Sequence, residues 1–169
     1  WEKGSLYNAI YHRFADGTIT RISSTVPPSN LIYATFQNVN KSYNTGIEMV
    51  LAQEISKLYA FNININAYRN QINAFTVENK YPTTHTFSAD KQEIFSGNIK
   101  LNNTFHFPNN IDAQLTAIYL APDIIPQGKI KSRFSLDFGL KKAIQKGKGE
   151  LFLNATDLLN TMIIKKEIN

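Results

Sequence analysis

The strongest constraint in this sequence is a two-residue alternation held over unusually long runs. Between residues 59 and 67, odd positions read Tyr59, Phe61, Ile63, Ile65 and Ala67, against Asn62, Asn64 and Asn66. Between 95 and 107, the odd set Phe95, Gly97, Ile99, Leu101, Asn103, Phe105 and Phe107 faces Ser96, Asn98, Lys100, Asn102, Thr104 and His106. Ile111, Ala113, Leu115, Ala117 and Tyr119 alternate with Asp112, Gln114 and Thr116. Ile130, Phe134, Leu136, Phe138 and Leu140 alternate with Lys131, Arg133, Ser135, Asp137 and Lys141. A strand sends successive side chains to opposite faces, so this period predicts sheet with one apolar and one polar side. Weaker alternation marks 47–52 and 151–156, and residues 5–14 read as strand on their Tyr and Phe content. A helix needs apolar residues at i, i+3 and i+4. None of these runs supplies that spacing, and only 155–164 leaves room for a short helix.

The runs exceed the five or six residues usual for a soluble strand and approach the ~9–11 tilted residues that cross a bilayer. The links between them alternate in length. Short ones fall at 54–58, at Pro108-Asn109-Asn110 and at 145–149. Long ones fall at 25–29 with Pro27-Pro28, at 77–91 with Pro82, and at 121–128 with two prolines. Short turns on one side and long loops on the other are the pattern of an up-and-down barrel across an outer membrane. The expected fold is therefore all-β: an antiparallel up-and-down meander of about 7–8 long strands, part of a transmembrane β-barrel. Asp16-Gly17 reads as a hairpin turn or a bulge. Period alone leaves open which face is covered. The alternative is a soluble secreted β-sandwich or small β-barrel, apolar side inward, that binds a ligand or carbohydrate.

Composition narrows the function classes. The chain has 169 residues and no Cys, which excludes disulfides, thiolate metal sites and a cysteine nucleophile. Nineteen Asn beside 11 Phe and 8 Tyr suit a sheet with one wet face. Eighteen basic and 13 acidic residues leave +5, but the lysines are scattered and no nucleic-acid fingerprint accompanies them. His12, His85 and His106 lack metal-ligand spacing. Glu48 and Glu54 share a strand face, as a glycosidase pair would. Nothing near them predicts a dry cleft, so a hydrated face is the better account. Neither Gly-x-Ser-x-Gly nor a Gly-rich phosphate loop occurs. We expect no enzyme, no catalytic residue, no metal, no cofactor and no nucleic-acid partner.

Three blocks carry a family resemblance. Phe36-Gln37-Asn38-Val39-Asn40-Lys41-Ser42-Tyr43-Asn44-Thr45-Gly46-Ile47-Glu48-Met49 resembles a segment of TonB-dependent outer-membrane receptors, with Gly-apolar-Glu opening a long strand. Pro126-Gln127-Gly128-Lys129, followed by Ser135-Leu136-Asp137-Phe138-Gly139-Leu140-Lys141-Lys142, is similar to a later strand of those barrels. Leu153-Asn154-Ala155-Thr156-Asp157-Leu158-Leu159-Asn160 is similar to their penultimate strand. The order of the blocks agrees with the family.

The resemblance implies that residues 1–169 are a single segment of a 22-stranded barrel, cut from a longer chain without its plug domain, Ton box and closing strands. It implies uptake of a bulky nutrient (an iron chelate, cobalamin or a glycan) across the bacterial outer membrane. The implied partners are outer-membrane lipid, the plug of the parent chain, TonB through the missing N-terminal part, and an unknown nutrient ligand. On the two-residue period, Asn62, Asn64, Asn66, Lys100, Asn102, Asp112, Gln114, Lys131, Arg133 and Asp137 are expected to face the lumen. Pro82, His85, Asp123 and Gln127 are expected in external loops. Gly46, Gly97 and Gly139 are candidates for bends or close approaches of the plug. A segment with two unpaired edges invites pairing with a neighbouring chain.

Overall fold

Seven long strands form one antiparallel meander. The computed structural model describes residues 2–26, 31–39, 41–80 and 84–168. The sheet strands are β1 (Gly4–Ala15), β4 (Ser42–Ser56), β5 (Tyr59–Ile72), β8 (Gln92–Phe107), β9 (Ile111–Leu120), β12 (Arg133–Ile144) and β13 (Gly149–Ala155), in the order β1-β4-β5-β8-β9-β12-β13. The sheet is open, with β1 and β13 at its edges. The remaining strands are β2 (Thr18–Val26), β3 (Leu31–Val39), β6 (Phe75–Asn79), β7 (His85–Ala89), β10 (Asp123–Ile125), β11 (Gly128–Ile130) and β14 (Lys166–Ile168). The all-β expectation holds. Among the described residues the sole helical element is a 3-10 turn at Gln145–Gly147. Residues 155–164 form no helix.

The register makes the two faces continuous from strand to strand. Leu6, Leu51, Ile63, Leu101, Ala117 and Leu136 lie side by side across six strands. One residue further along, Ser5, Ala52, Asn62, Asn102, Thr116 and Asp137 form the matching row on the other face. Among the described residues no second layer packs on the apolar face. Ile10 and Phe95 are each 83% exposed, and Ile47 and Leu153 are also open. A sandwich or a soluble barrel would bury these side chains. Leaving them uncovered suits lipid, and the ladder satisfies the backbone groups that lipid cannot.

The short links all lie at one end of the sheet. At that end Tyr59, Phe61, Phe105 and Phe107 stack on the apolar face, with Tyr59 and Phe105 centroids 5.1 Å apart. At the other end Phe14 and Tyr43 pair at 5.3 Å. Two aromatic rows bounding an aliphatic band match the girdles of a membrane barrel.

The long links are not plain loops. Each is an antiparallel hairpin that continues the paired strands past a break. β1 ends at Ala15 opposite Ser42, and β2 resumes at Thr18 opposite Val39. β5 and β8 stop at Ile72 and Gln92, and β6 and β7 resume at Phe75 and Ala89. β9 and β12 stop at Leu120 and Arg133, and β10 and β11 resume at Asp123 and Ile130. Asp16-Gly17 is therefore neither a hairpin nor a bulge, since β1 and β2 do not pair. It is the corner where the ribbon leaves the sheet, with Gly17 at φ +64°. The polar stretch 77–91 contains most of β6–β7, although its pairing begins earlier, at Phe75. Pro27, Pro28 and Pro82 lie outside the described residues.

The buried cluster Ile22, Val39, Ile72, Phe75 and Ile124, joined by Val77, Phe87, Ala89 and Ile94, sits among these hairpins. Ile72 and Ile94 belong to the polar-face parity of β5 and β8. The hairpins thus fold over the polar side of the sheet and leave the apolar side bare.

Candidate functional site: the polar face and its capping hairpins

Nine of the ten residues expected to face the lumen share the polar face: Asn62, Asn64, Asn66, Lys100, Asn102, Asp112, Gln114, Arg133 and Asp137. Side-chain hydrogen bonds lace several of them to their neighbours. Thr116 Oγ1 donates to Asn102 Oδ1 at 3.0 Å, and Gln114 Nε2 to Thr116 Oγ1 at 3.4 Å. His106 Nδ1 lies 2.7 Å from Asp112 Oδ1. The two carboxylates weighed as a glycosidase pair have separate partners: Glu54 meets Lys3 at 3.1 Å and Glu48 receives Asn64 Nδ2 at 3.5 Å.

Lys131, outside the register, lines a pocket with Tyr68, Asn98 and Arg133 of the polar side. It lies in the break between β11 and β12, where the two-residue period no longer applies. Its Nζ is 2.6 Å from Glu167 Oε1 on β14. The bonded Lys131 ammonium holds the Glu167 carboxyl below the ordinary carboxylate range.

Glycine has a definite role at Gly46. A Cβ there would stand 2.7 Å from the Tyr11 hydroxyl, the Tyr68 Cβ and the Ala67 carbonyl. The missing side chain lets Tyr11 reach across β4 and donate to Asn66 Oδ1 at 2.9 Å. At Gly97 a Cβ would meet the Asn66 carbonyl at 2.6 Å, and at Gly139 the Asn154 side chain at 3.2 Å. Neighbouring groups of the sheet itself account for all three close approaches.

Side-chain clasps tie the hairpins to the sheet and to each other. Asp123 Oδ2 accepts from the Tyr68 hydroxyl at 2.7 Å, and Oδ1 accepts from Asn70 Nδ2 at 2.8 Å. Gln127 accepts from the Ser23 N–H and donates to the Ser23 carbonyl, both at 2.8 Å. Asn79, 2% exposed, accepts from Thr35 Oγ1 and Gln37 Nε2 and contacts His85 Nε2 at 3.2 Å. His85 Nε2 also lies 2.7 Å from Ser24 Oγ. So His85, Asp123 and Gln127 do lie in the hairpin region, and each joins separate elements. A fully bonded buried polar network resists opening, because each group left unpaired costs ~1–3 kcal/mol.

Sequence pattern alone did not single out Tyr11, Tyr68, Asn70 or Asn79. The available signal was parity: Tyr68 falls in the Asn set of β5, where an aromatic side chain on a wet face needs a reason. Asp157 is a further residue of this kind. Its N–H donates to Asp137 Oδ1 at 2.8 Å, while its own carboxylate accepts from the N–H groups of Thr161 and Met162. It forms a tight turn that lays residues 158–161 against the upper edge of β12, where Leu158 N–H donates to the Leu136 carbonyl.

Between β7, the start of β8 and the β10–β11 turn lies a groove of about 520 Å³. Phe87, Ile124 and Pro126 give it an apolar floor, and Asp90, Glu93 and Lys129 give it charges of both signs. Such a surface offers stacking, apolar contact and hydrogen bonding to a ligand. Among the described residues no cluster of His, Asp and Glu has metal-binding geometry.

No curated protein matches the chain. The sequence pattern of the outer membrane protein beta-barrel family matches residues 1–169. With an uncovered apolar face, aromatic rows at both ends and a polar opposite face, the chain belongs to the outer membrane protein beta-barrel family, whose place is the bacterial outer membrane.

Proposed function

We propose that this chain is part of the barrel wall of a TonB-dependent receptor that imports a bulky nutrient, such as an iron chelate, cobalamin or a glycan. The observation that carries this reading is the set of three sequence blocks at 36–49, 126–142 and 153–160, in family order. The geometry is compatible with it. The polar face suits a hydrated lumen and a plug from the parent chain. On this reading the capping hairpins meet a ligand before it enters, as loops on a rigid scaffold commonly do. TonB would act through the N-terminal part of the parent. The reading assigns these residues no catalytic group, no cofactor and no nucleic-acid partner.

The test is uptake in source cells with and without the TonB system. Iron chelates, cobalamin and oligosaccharides would be offered in turn, in cells that carry or lack the parent gene. Accumulation of one of them should require both the gene and TonB. Uptake that needs the gene but ignores TonB would leave a passive barrel and remove the receptor assignment.

A further inference from the structure

The β2–β3 and β6–β7 hairpins meet through rows that carry no fixed charge. The alternation that puts Ile22 and Val39 in the buried cluster puts Ser24, Thr35 and Gln37 on the same inward side. Phe75, Val77 and Phe87 likewise carry Asn79 and His85 inward, at the last rung of β6–β7. Asn79 is 2% exposed, and its Oδ1 accepts from Thr35 Oγ1 at 3.0 Å and from Gln37 Nε2 at 2.8 Å. Those two bonds fix the amide, so Nδ2, a donor, is turned to His85 Nε2 at 3.2 Å. Turning the amide over would set Nδ2 against the Gln37 donor instead. His85 Nε2 therefore has to accept, and a ring that accepts there is neutral, with its proton on Nδ1. Ser24 Oγ lies 2.7 Å from the same nitrogen and can also donate to it.

A proton added to Nε2 turns this acceptor into a donor. The Ser24 hydroxyl can rotate and accept it. Asn79 Nδ2 has no such freedom, and it is left facing another donor almost without access to solvent, which is costly. The inward rows offer the new charge no carboxylate. The charged side chains of the elements packed here lie elsewhere: Arg21 and Glu78 on the alternate faces of β2 and β6, Lys80 and Asp90 just past the ends of β6 and β7, and Asp123 and Lys129 on β10 and β11. Among the described residues of these rows the other titratable group is Tyr33, opposite Ser24, and phenols titrate in alkali. We infer that His85 is a proton-operated latch between the β2–β3 and β6–β7 hairpins, closed by the neutral ring and released when the ring is protonated. Opening takes up a proton, so acid favours the open form. Imidazole is the side chain whose charge changes between about pH 5 and about pH 8, so that is where the latch works. The two hairpins fold over the polar side of the sheet, so acid loosens the cover of that side. The latch is independent of TonB and of the identity of any nutrient.

The test follows the full-length protein in lipid nanodiscs by hydrogen–deuterium exchange between about pH 8 and about pH 5. Exchange is read on peptides covering 18–39 and 75–89 and corrected for the intrinsic effect of pH on amide exchange. Opening of these hairpins should rise about tenfold over that range, and by no more than about tenfold per pH unit, as uptake of one proton requires. β5 and β8 should stay protected throughout. His85→Gln keeps an amide acceptor in place of the ring but takes up no proton, so its hairpin exchange should be flat with pH, whatever its absolute level. His12→Gln and His106→Gln, both on the sheet, should keep the full step. Equal hairpin protection of the unaltered protein at both ends of the range would overturn the inference, whether or not His85→Gln folds. A step that survives His85→Gln would overturn it too, and would assign the step to another group such as the Asp123 carboxylate. Either failure leaves the TonB-dependence of uptake untouched, since that is read in a separate assay.

Discussion

At the scale of single residues, the register turns the alternation into opposite consequences for neighbours. Ile63 sits between Leu51 and Leu101 on the uncovered face, and Leu115 between Asn103 and Phe138. Lysine at Ile63 or Leu115 should cost about 2–4 kcal/mol where the wall crosses mid-bilayer. Lysine at Asn64 or Gln114 should be tolerated, because those side chains lie on the hydrated face. Heat-modifiable migration in gels, which separates folded from unfolded barrels, would score the four variants. Gly46→Ala makes a second prediction. Its Cβ would enter space held by Tyr11, Tyr68 and a backbone carbonyl, and overpacking of that kind costs about 1–3 kcal/mol. Denaturant unfolding in lipid should show that loss for Gly46→Ala. It should be smaller for Gly139→Ala, where only the Asn154 side chain must move.

Among elements, the long strands were legible and the hairpins were not. A strand 14 or 16 residues long, as β5 and β8 are, repeats its two-face pattern often enough to be read. β6 and β7 have five residues each, with polar residues on one face and half-buried or buried ones on the other, and a polar link surrounds them. Their apolar side chains Phe75, Val77 and Phe87 join a cluster with Ile22 of β2 and Val39 of β3, a grouping of distant parts of the chain that no local period records. The Asp16-Gly17 corner escaped for the same reason. Its chemistry is that of a turn, but its partners are decided by β4. Lys131 lies in the break at 131–132, outside the register of β12, yet it lines a pocket with Tyr68, Asn98 and Arg133 of the polar side. The clasps predict how these elements behave. Asp123→Ala removes the acceptor of Tyr68 and Asn70, and Gln127→Ala releases Ser23. Each should cost the hairpin layer about 1–3 kcal/mol. Limited proteolysis should then cut at the β10–β11 turn while β5 and β8 stay protected. Cleavage spread evenly over the seven-stranded sheet would mean that the hairpins and the wall unfold as one.

For the whole molecule, the ordinary mean hydropathy of −0.27 conceals the partition between its faces. Averaging two faces hides an apolar surface that a soluble fold would bury. Open edges at β1 and β13 follow from the same meander, and closure needs further strands or a neighbouring chain. The placement in a membrane wall therefore rests on which face meets lipid, and the absence of Cys from these 169 residues makes that directly measurable. Single cysteines placed from 61 to 66 on β5 and from 99 to 104 on β8, in the protein assembled in outer membranes, would be probed with a water-soluble maleimide. They would also be probed with lipids that quench an attached fluorophore. The account predicts quenching by lipid at Phe61, Ile63, Ile65, Ile99 and Leu101, and aqueous labelling at Asn62, Asn64, Asn66, Lys100 and Asn102. Quenching at the Asn set, or no alternation at all, would contradict it.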